Sequence, residues 1–360
     1  MSENKRSNIS LQKAKNAKDD EYYTQLSDIE NELSHYKEHF RGKTVFCNCD
    51  DPFESNFFKY FAMKFNFLWL QKLIVTWYST SKIAFTQLPL FEIPWMENEK
   101  NKAYKIEINE VYDANWDWAE DLADVKYLLK TWKWKNKLTL LNWDWDFRSE
   151  ESIKLLEQSD IVCTNPPFSL LKDYISQLVQ YKKQFLIIWT ENAITYKEVF
   201  PLIKGNKIWT WFNHVKEFIK PDGTTKKFGN VGRYTNLDTK RRHEKMILFK
   251  KYTPDEYPKY ETFNWIDVAS VSDIPYDFDW VMWVPKTFMN SYNPEQFEIL
   301  WYEREDENIK VWIKNMPESF LEDYRRHGGK WHYTSWMKML CFYKEWQPKI
   351  PFSRILIRKK

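Results

Sequence analysis

Glycine is nearly missing from this chain. There are seven in 360 residues, where about 25 would be ordinary. Cysteine is scarce too, and Cys47, Cys49, Cys163 and Cys341 contain no C-x-x-C pair and no accompanying histidine cluster. That excludes a disulfide framework and a zinc site of the usual spacing, and it fits reduced, mostly buried thiols. No segment approaches the roughly 20 consecutive apolar residues of a membrane helix. Residues 1–19 are polar and lysine-rich, without the apolar core of a secretory signal, so a cytoplasmic protein is expected. A large charge excess is also lacking: 54 basic against 51 acidic residues leave a formal net charge of +3. Any nucleic-acid face must therefore come from local clustering.

What the chain has instead of glycine is tryptophan, 20 in all. Several stand where backbone logic wants glycine: in Asn115-Trp116-Asp117-Trp118, in Asn142-Trp143-Asp144-Trp145-Asp146, in Thr76-Trp77-Tyr78 after an apolar run, and in Lys344-Glu345-Trp346-Gln347 between two strand candidates. Asn-Gly and Asp-Gly make turns because glycine takes positive φ without steric cost, and an indole side chain has no such freedom. Together the two residue types number 27, about 7% of the chain and ordinary for glycine alone. The pattern suggests UGA codons written as tryptophan in a lineage that reads them as glycine. The alternative is a lineage rich in tryptophan. Trp209, in the strand-like Lys207-Ile208-Trp209, is the best candidate for a true indole.

Residues 19–39 carry helical spacing. Thr44-Val45-Phe46-Cys47-Asn48-Cys49 reads as a buried strand stopped by Asp50-Asp51-Pro52, with a helix expected over 55–65. Further strands are expected at 72–76, 104–108, 161–164, 185–188, 207–212 and 245–249. Helices are expected between them at 122–130, 150–158, 170–181 and 194–203. Alternation of this kind implies right-handed crossovers and a mainly parallel sheet. Beyond about residue 252 the pattern changes to short strands punctuated by Pro and Asp, at 278–284, 297–302, 339–343 and 354–357. The expectation is an α/β domain over 1–252 and a smaller α+β domain over 253–360.

The most informative motif follows the apolar strand Ile161-Val162-Cys163-Thr164. It is Asn165-Pro166-Pro167-Phe168, with an amphipathic helix after it. In an open parallel sheet ligands sit beyond the carboxyl ends of the strands, which is where this tetrapeptide falls. Its prolines fix the backbone and preset the Asn165 amide and the Pro166 carbonyl. Two such acceptors suit an adenine amino group, whose lone pair is delocalised into the ring. By taking both N6 hydrogens they favour the tetrahedral nitrogen that attacks a sulfonium methyl, with no metal required. Phe168 offers a face for a base flipped out of a duplex. The competing reading is a rigid turn after a strand.

On these residues the chain resembles the EcoRI-type adenine-N6 DNA methyltransferases, the modification partners of type II restriction systems. The likeness extends from Lys18-Asp19-Asp20-Glu21-Tyr22-Tyr23-Thr24 through the Asn165 motif and Tyr234-Thr235-Asn236-Leu237-Asp238 to Ile350-Pro351-Phe352-Ser353-Arg354. It implies a Rossmann-like S-adenosylmethionine-dependent methyltransferase sheet with a smaller C-terminal α+β recognition domain, S-adenosyl-L-methionine as cofactor, double-stranded DNA as substrate, a cognate restriction endonuclease as partner, and monomeric action. It further implies that Tyr23 and Thr24 lie beside the methionine end of the cofactor. Asp50, Asp51 and Pro52 would stand where relatives carry a glycine-rich loop, absent here. Asp146 would accept from the cofactor's adenine while Phe147 stacks on it. The same resemblance leaves open an amino-methyltransferase acting on cytosine N4 or protein glutamine, or a catalytically silent DNA-binding module.

Three further features are weaker. Asp113, Asn115, Asp117 and Asp124 have the spacing of a calcium loop if residue 118 is read as glycine. The final Asp, and the frequency of acidic caps before helices, favour an ordinary turn. Lys226 and Lys227, with Lys240, Arg241 and Arg242, are basic clusters able to neutralise phosphates, or else solvated turns. Arg325-Arg326-His327 with Lys330 is a third basic group, of a kind that can reach guanine edges in the major groove.

Overall fold

The computed structural model describes residues 23–24, 26–48, 55–78, 103–114, 116, 122–130, 137–141, 146–166, 170–210, 213, 217–219, 225–227, 231–263, 265–302, 313–352 and 354–360. It separates into two compact units. The first takes the described residues up to Ala193 together with Thr210–Asp238, and the second Ile194–Trp209 together with Thr239–Lys360.

The first unit is built on a sheet of mixed direction. Its strands are β2 (Thr44–Asn48), β3 (Lys72–Tyr78), β4 (Ala103–Ile108), β5 (Lys137–Leu140), β6 (Ile161–Thr164), β7 (Gln184–Thr190), β8 (Trp209–Thr210) and β11 (Val231–Thr235), in the order β5-β4-β3-β2-β6-β7-β11-β8. β2 runs parallel to β3 and β6, and β6 parallel to β7. All residues of β2 and β6 are buried, as two-sided coverage of parallel strands requires. The expectation of a mainly parallel sheet holds for this middle and fails at the margins, where β4 is antiparallel to β3 and β5, and β11 to β7. The composition of β4 explains part of this. Ile106 and Ile108 are buried while Lys105 and Glu107 remain half-buried and pair at 3.3 Å, the one-sided alternation of an antiparallel strand. A separate three-stranded sheet joins β1 (Tyr23–Thr24), β9 (Glu217–Ile219) and β10 (Thr225–Lys227).

Helices flank the parallel strands. Asn56–Met63 follows β2, and its N-cap Ser55 accepts from Phe58 N at 3.3 Å. Glu150–Gln158 precedes β6 and is capped by Ser149, which accepts from Ser152 N. Leu171–Gln180 turns Leu171, Tyr174, Ile175 and Leu178 inward, at helical spacing.

The second unit carries a four-stranded sheet, β12 (Ile266–Asp267), β13 (Met282–Pro285), β17 (Arg354–Lys359) and β14 (Phe297–Tyr302) in that order, and a hairpin of β15 (Phe342–Lys344) with β16 (Gln347–Lys349). At its centre lies a buried polar triad. Arg354 Nε donates to Asp267 Oδ1 at 2.9 Å and the Tyr260 hydroxyl donates to the same oxygen. Burial pushes the Tyr260 hydroxyl well above the usual phenol range, with the Asp267 carboxylate adding to it.

Two expectations change. Residues 245–249 form no strand. Ile247 and Phe249 face solvent, and the backbone of Met246 is satisfied at both ends by the Gln296 side chain, at 2.7 and 2.8 Å. These bonds, with Asn293 donating to the Glu244 carbonyl and Tyr252 N to Asp277, tie residues 244–252 to other residues of the second unit. Residues 194–203, expected as one helix, are a 3-10 turn over Glu191–Thr195 and a short helix Phe200–Lys204 with Pro201 in its first turn. Asp267→Ala would strand Arg354 and Tyr260 in the core. Urea unfolding of the full chain is expected to show a loss of about 3–5 kcal/mol in stability.

Candidate active site at the carboxyl edge of the sheet

The strand order reverses between β2 and β6. From β2 the chain goes to β3 on one side, while β6 lies against β2 on the other, and in open α/β sheets ligands bind outside the carboxyl ends of the strands at such a reversal. Both ends are pinned. Asn48, the last residue of β2, is buried. Its side-chain oxygen accepts from Thr76 Oγ1 of β3 at 2.9 Å, and its carbonyl accepts from Thr164 Oγ1 at the end of β6. Asn165 and Pro166 follow directly, with Pro166 buried, Asn165 half-buried and the Asn165 amide oxygen shielded from solvent. The segment leaving β2, which contains the expected cofactor residues Asp50, Asp51 and Pro52, and the segment leaving β6, which contains Asn165, therefore start from neighbouring strands at one edge. Asp50, Asp51, Pro52, Pro167 and Phe168 lie outside the described residues.

Tyr23 and Thr24 form β1 and pair with Ile219 and Phe218 of β9, which pairs in turn with Thr225 and Lys226 of β10. The structure thus gathers the expected cofactor pair and the expected phosphate-binding Lys226 and Lys227 into one small sheet. The helix after β1, Leu26–Leu33, contributes a residue that spacing alone does not single out. Glu32 is fully buried, accepts from the Tyr36 hydroxyl at 2.8 Å and from the Asn213 backbone N–H at 2.7 Å. Burial lowers the Arg233 guanidinium of β11 to about 10, opposed by the charges of Asp28 and Glu32.

Asp146 and Phe147 are both engaged by neighbouring residues. Both oxygens of Asp146 are engaged by Arg148, Oδ1 by its backbone N and Nε at 2.9 Å each, and Oδ2 by Nη2 at 2.6 Å. These hydrogen bonds hold the carboxyl below its ordinary range. Phe147 is 2% exposed and meets Tyr174 edge-on at 5.0 Å, while its carbonyl accepts from Gln177.

Among the basic candidates, Lys240 is exposed and Arg241 half-buried in the turn Lys240–His243. Arg242 is engaged within its own unit. It hydrogen bonds to Asn206 and lies 3.3 Å from the Trp209 ring centroid, so it contributes less to any phosphate contact than its place in the basic run suggests. Arg325 and Arg326 end the helix Glu318–Arg326 and are exposed, as is His327. Asp124 caps a turn by accepting from Ala114 N at 2.8 Å; Asp113 is half-buried nearby in sequence, and Asn115 and Asp117 lie outside the described residues. The Tyr234-Thr235-Asn236 signature is architectural. Thr235 Oγ1 donates to the Phe185 carbonyl at 2.7 Å, and Asn236 binds Phe185 N at 2.7 Å and the Lys183 carbonyl at 2.8 Å.

The sequence matches one family of known proteins over nearly its whole length. A model described as adenine-specific methyltransferase EcoRI matches residues 10–360. The Type II methyltransferase M.EcoRI of Escherichia coli is 44% identical over 312 residues, 81% of this chain and 88% of that protein. The Type II methyltransferases M.MgeORF184P of Mycoplasma genitalium and M.MpnI of Mycoplasma pneumoniae are each 32% identical over 311 residues, 80% of this chain and 84% of theirs. No solved structure matches.

Asn48→Ala removes an acceptor from the buried Thr76 hydroxyl and should cost about 1–3 kcal/mol of stability in chemical denaturation. Arg148→Met should raise the Asp146 titration midpoint followed by carboxyl-carbon NMR. Because the folded value is depressed, the stabilisation from this pair is present above the ordinary carboxylate range and fades as pH falls through the lowered value; the variant is expected to lose that acid-side dependence.

Proposed function

The chain belongs to the EcoRI family of adenine-specific methyltransferases, and we propose that it methylates adenine N6 at the carboxyl edge of β2 and β6, with S-adenosyl-L-methionine as donor. The observation that carries this reading is the placement of Asn165 and Pro166 beside the pinned end of β2 at the reversal of strand order.

The residues present fit the donor. The edge lies where a Rossmann-like sheet binds its ligand, and the sequence leaving β2 brings Asp50 and Asp51, carboxylates suited to a sulfonium and a ribose. Tyr23 and Thr24 would hold the methionine end, with Glu32 steadying the helix that follows them. When bound, S-adenosylmethionine supplies an electrophilic methyl. The chain's own groups prepare the nucleophile. The Asn165 amide oxygen and the Pro166 carbonyl accept the two N6 hydrogens of an extruded adenine and draw its nitrogen toward tetrahedral geometry. Shielding from water strengthens both acceptors, and the fixed proline backbone means they need not reorganise as charge develops. Phe168 would stack on the base, which offsets part of the few kcal/mol needed to flip it. Asp146, held by Arg148, is better suited to shaping the edge than to a free acceptor role.

Double-stranded DNA is the substrate of this reading. Lys226, Lys227, Lys240 and Arg241 would neutralise phosphates without reading sequence, and the second unit, with Arg325 and Arg326, would supply target recognition. A cognate endonuclease and monomeric action complete it, since one base is extruded at a time. In a labelled-methyl transfer assay on duplex DNA, Asn165→Ala should lower kcat by about 10²-fold or more while the affinity for S-adenosylmethionine, read by calorimetry, stays within a few fold. N6-methyladenine should be the product in nucleoside digests. Equal kcat in the variant, or N4-methylcytosine as product, would overturn the assignment.

A further inference from the structure

Backbone conformation addresses the tryptophan anomaly position by position. Among the described residues six that are not glycine have positive φ, and three of them are tryptophan: Trp69 at 55°, Trp116 at 65° and Trp346 at 63°. The left-handed region is costly for any residue with a bulky side chain, and it is the normal place of glycine and, less often, of Asn.

Two of the three sit in motifs whose geometry asks for glycine. Trp69 N donates to the Asn66 carbonyl at 3.0 Å and Leu70 N to the Phe65 carbonyl at 3.1 Å. This pair of bonds is the Schellman ending of a helical turn, with residue 69 at the left-handed position. The same chain ends the helix Glu318–Arg326 with the same two bonds, Gly328 N to Arg325 and Gly329 N to Tyr324, and puts glycine at φ 80° there. Lys182 and Asn206 fill two further left-handed positions, so the motif admits other residues, but a large aromatic is the costliest choice. Trp346 is the second residue of a two-residue hairpin loop, between Lys344 and Gln347 that pair across β15 and β16. Glu345 has φ 51° and Trp346 63°. Positive φ at both loop positions marks a type I′ turn, whose strong preference is glycine at the second.

The surroundings agree. Trp69, Trp116 and Trp346 are 66%, 84% and 92% exposed, so the indoles gain little from burial to offset the backbone strain. Trp189 and Trp283 are the contrast. Both are buried in extended strands, Trp189 edge-on to Tyr234 at 5.8 Å and Trp283 edge-on to Phe263 at 5.6 Å.

We propose that residues 69, 116 and 346 are glycine in the protein as its own cell makes it, encoded by UGA read as glycine, whereas Trp189 and Trp283 are true tryptophans. The inference stands on backbone geometry and is independent of the catalytic reading. Peptide mapping by mass spectrometry of the protein from its native source decides it. Glycine in the peptides spanning 69, 116 and 346, with tryptophan at 189 and 283, is the expected result. Tryptophan at the first three positions, or glycine at either of the last two, overturns it. A second measurement uses recombinant protein. Relative to the chain as written, Trp69→Gly and Trp346→Gly should each raise the folding equilibrium constant on the order of 5–30-fold, the equivalent of relieving one left-handed side-chain clash, and Trp189→Gly should lower it. No gain from either of the first two substitutions would count against the proposal.

Discussion

The double attachment of Asn48 is the constraint from which the proposed site follows. A bond from the Thr76 hydroxyl to its side chain and one from the Thr164 hydroxyl to its carbonyl hold the ends of β2 and β6 at one level, beside Thr76 of β3. Loops that leave such ends inherit that alignment. Asn165 and Pro166 need no long-range contact of their own to be placed, because the strand delivering them is already in register with its neighbour over Val45–Ile161 and Phe46–Val162. The chemistry asked of them is modest, two acceptors held still, and a pinned strand end is the simplest way to hold a backbone carbonyl still. Buried side chains on both faces of β2 and β6 supply the rigidity.

Buried polar groups organise the remainder of each unit in the same manner. In the first, Glu32 links the helix Leu26–Leu33 to Asn213, and Asn236 clamps the turn that enters β7. In the second, Asp267 gathers Arg354 and Tyr260. Groups of this kind are costly to bury and costlier to leave unsatisfied, so they fix one arrangement of elements where apolar packing would accept several. This gives a physical reason for the long flanking stretches by which the chain resembles its family: Thr235, Asn236 and Arg354 are each held in hydrogen bonds within the fold.

Much of this is legible in the sequence. The helices 122–130 and 150–158 and the strands 161–164 and 297–302 can be read with their observed limits. The Asn165 motif is legible because proline makes its shape local. What the sequence hides depends on partners far away in the chain or on packing. The apolar run in 245–249 looks like a strand, yet Gln296 takes the hydrogen bonds a neighbouring strand would have supplied to Met246. The edge-on packing of Phe147 against Tyr174 is likewise not visible in the sequence. Trp346 falls in a turn as its neighbours suggest, whereas Trp77 lies within β3, where glycine has no special role.

The central claim is that methyl donor and target base meet at the carboxyl edge of β2 and β6. Ultraviolet cross-linking of labelled S-adenosylmethionine to the intact protein, followed by peptide mapping, tests it most directly. Label is predicted in peptides that contain the end of β2, the Asn165 segment or Tyr23 and Thr24, and competition with unlabelled donor should remove it. Label confined to residues 239–360 would contradict the account.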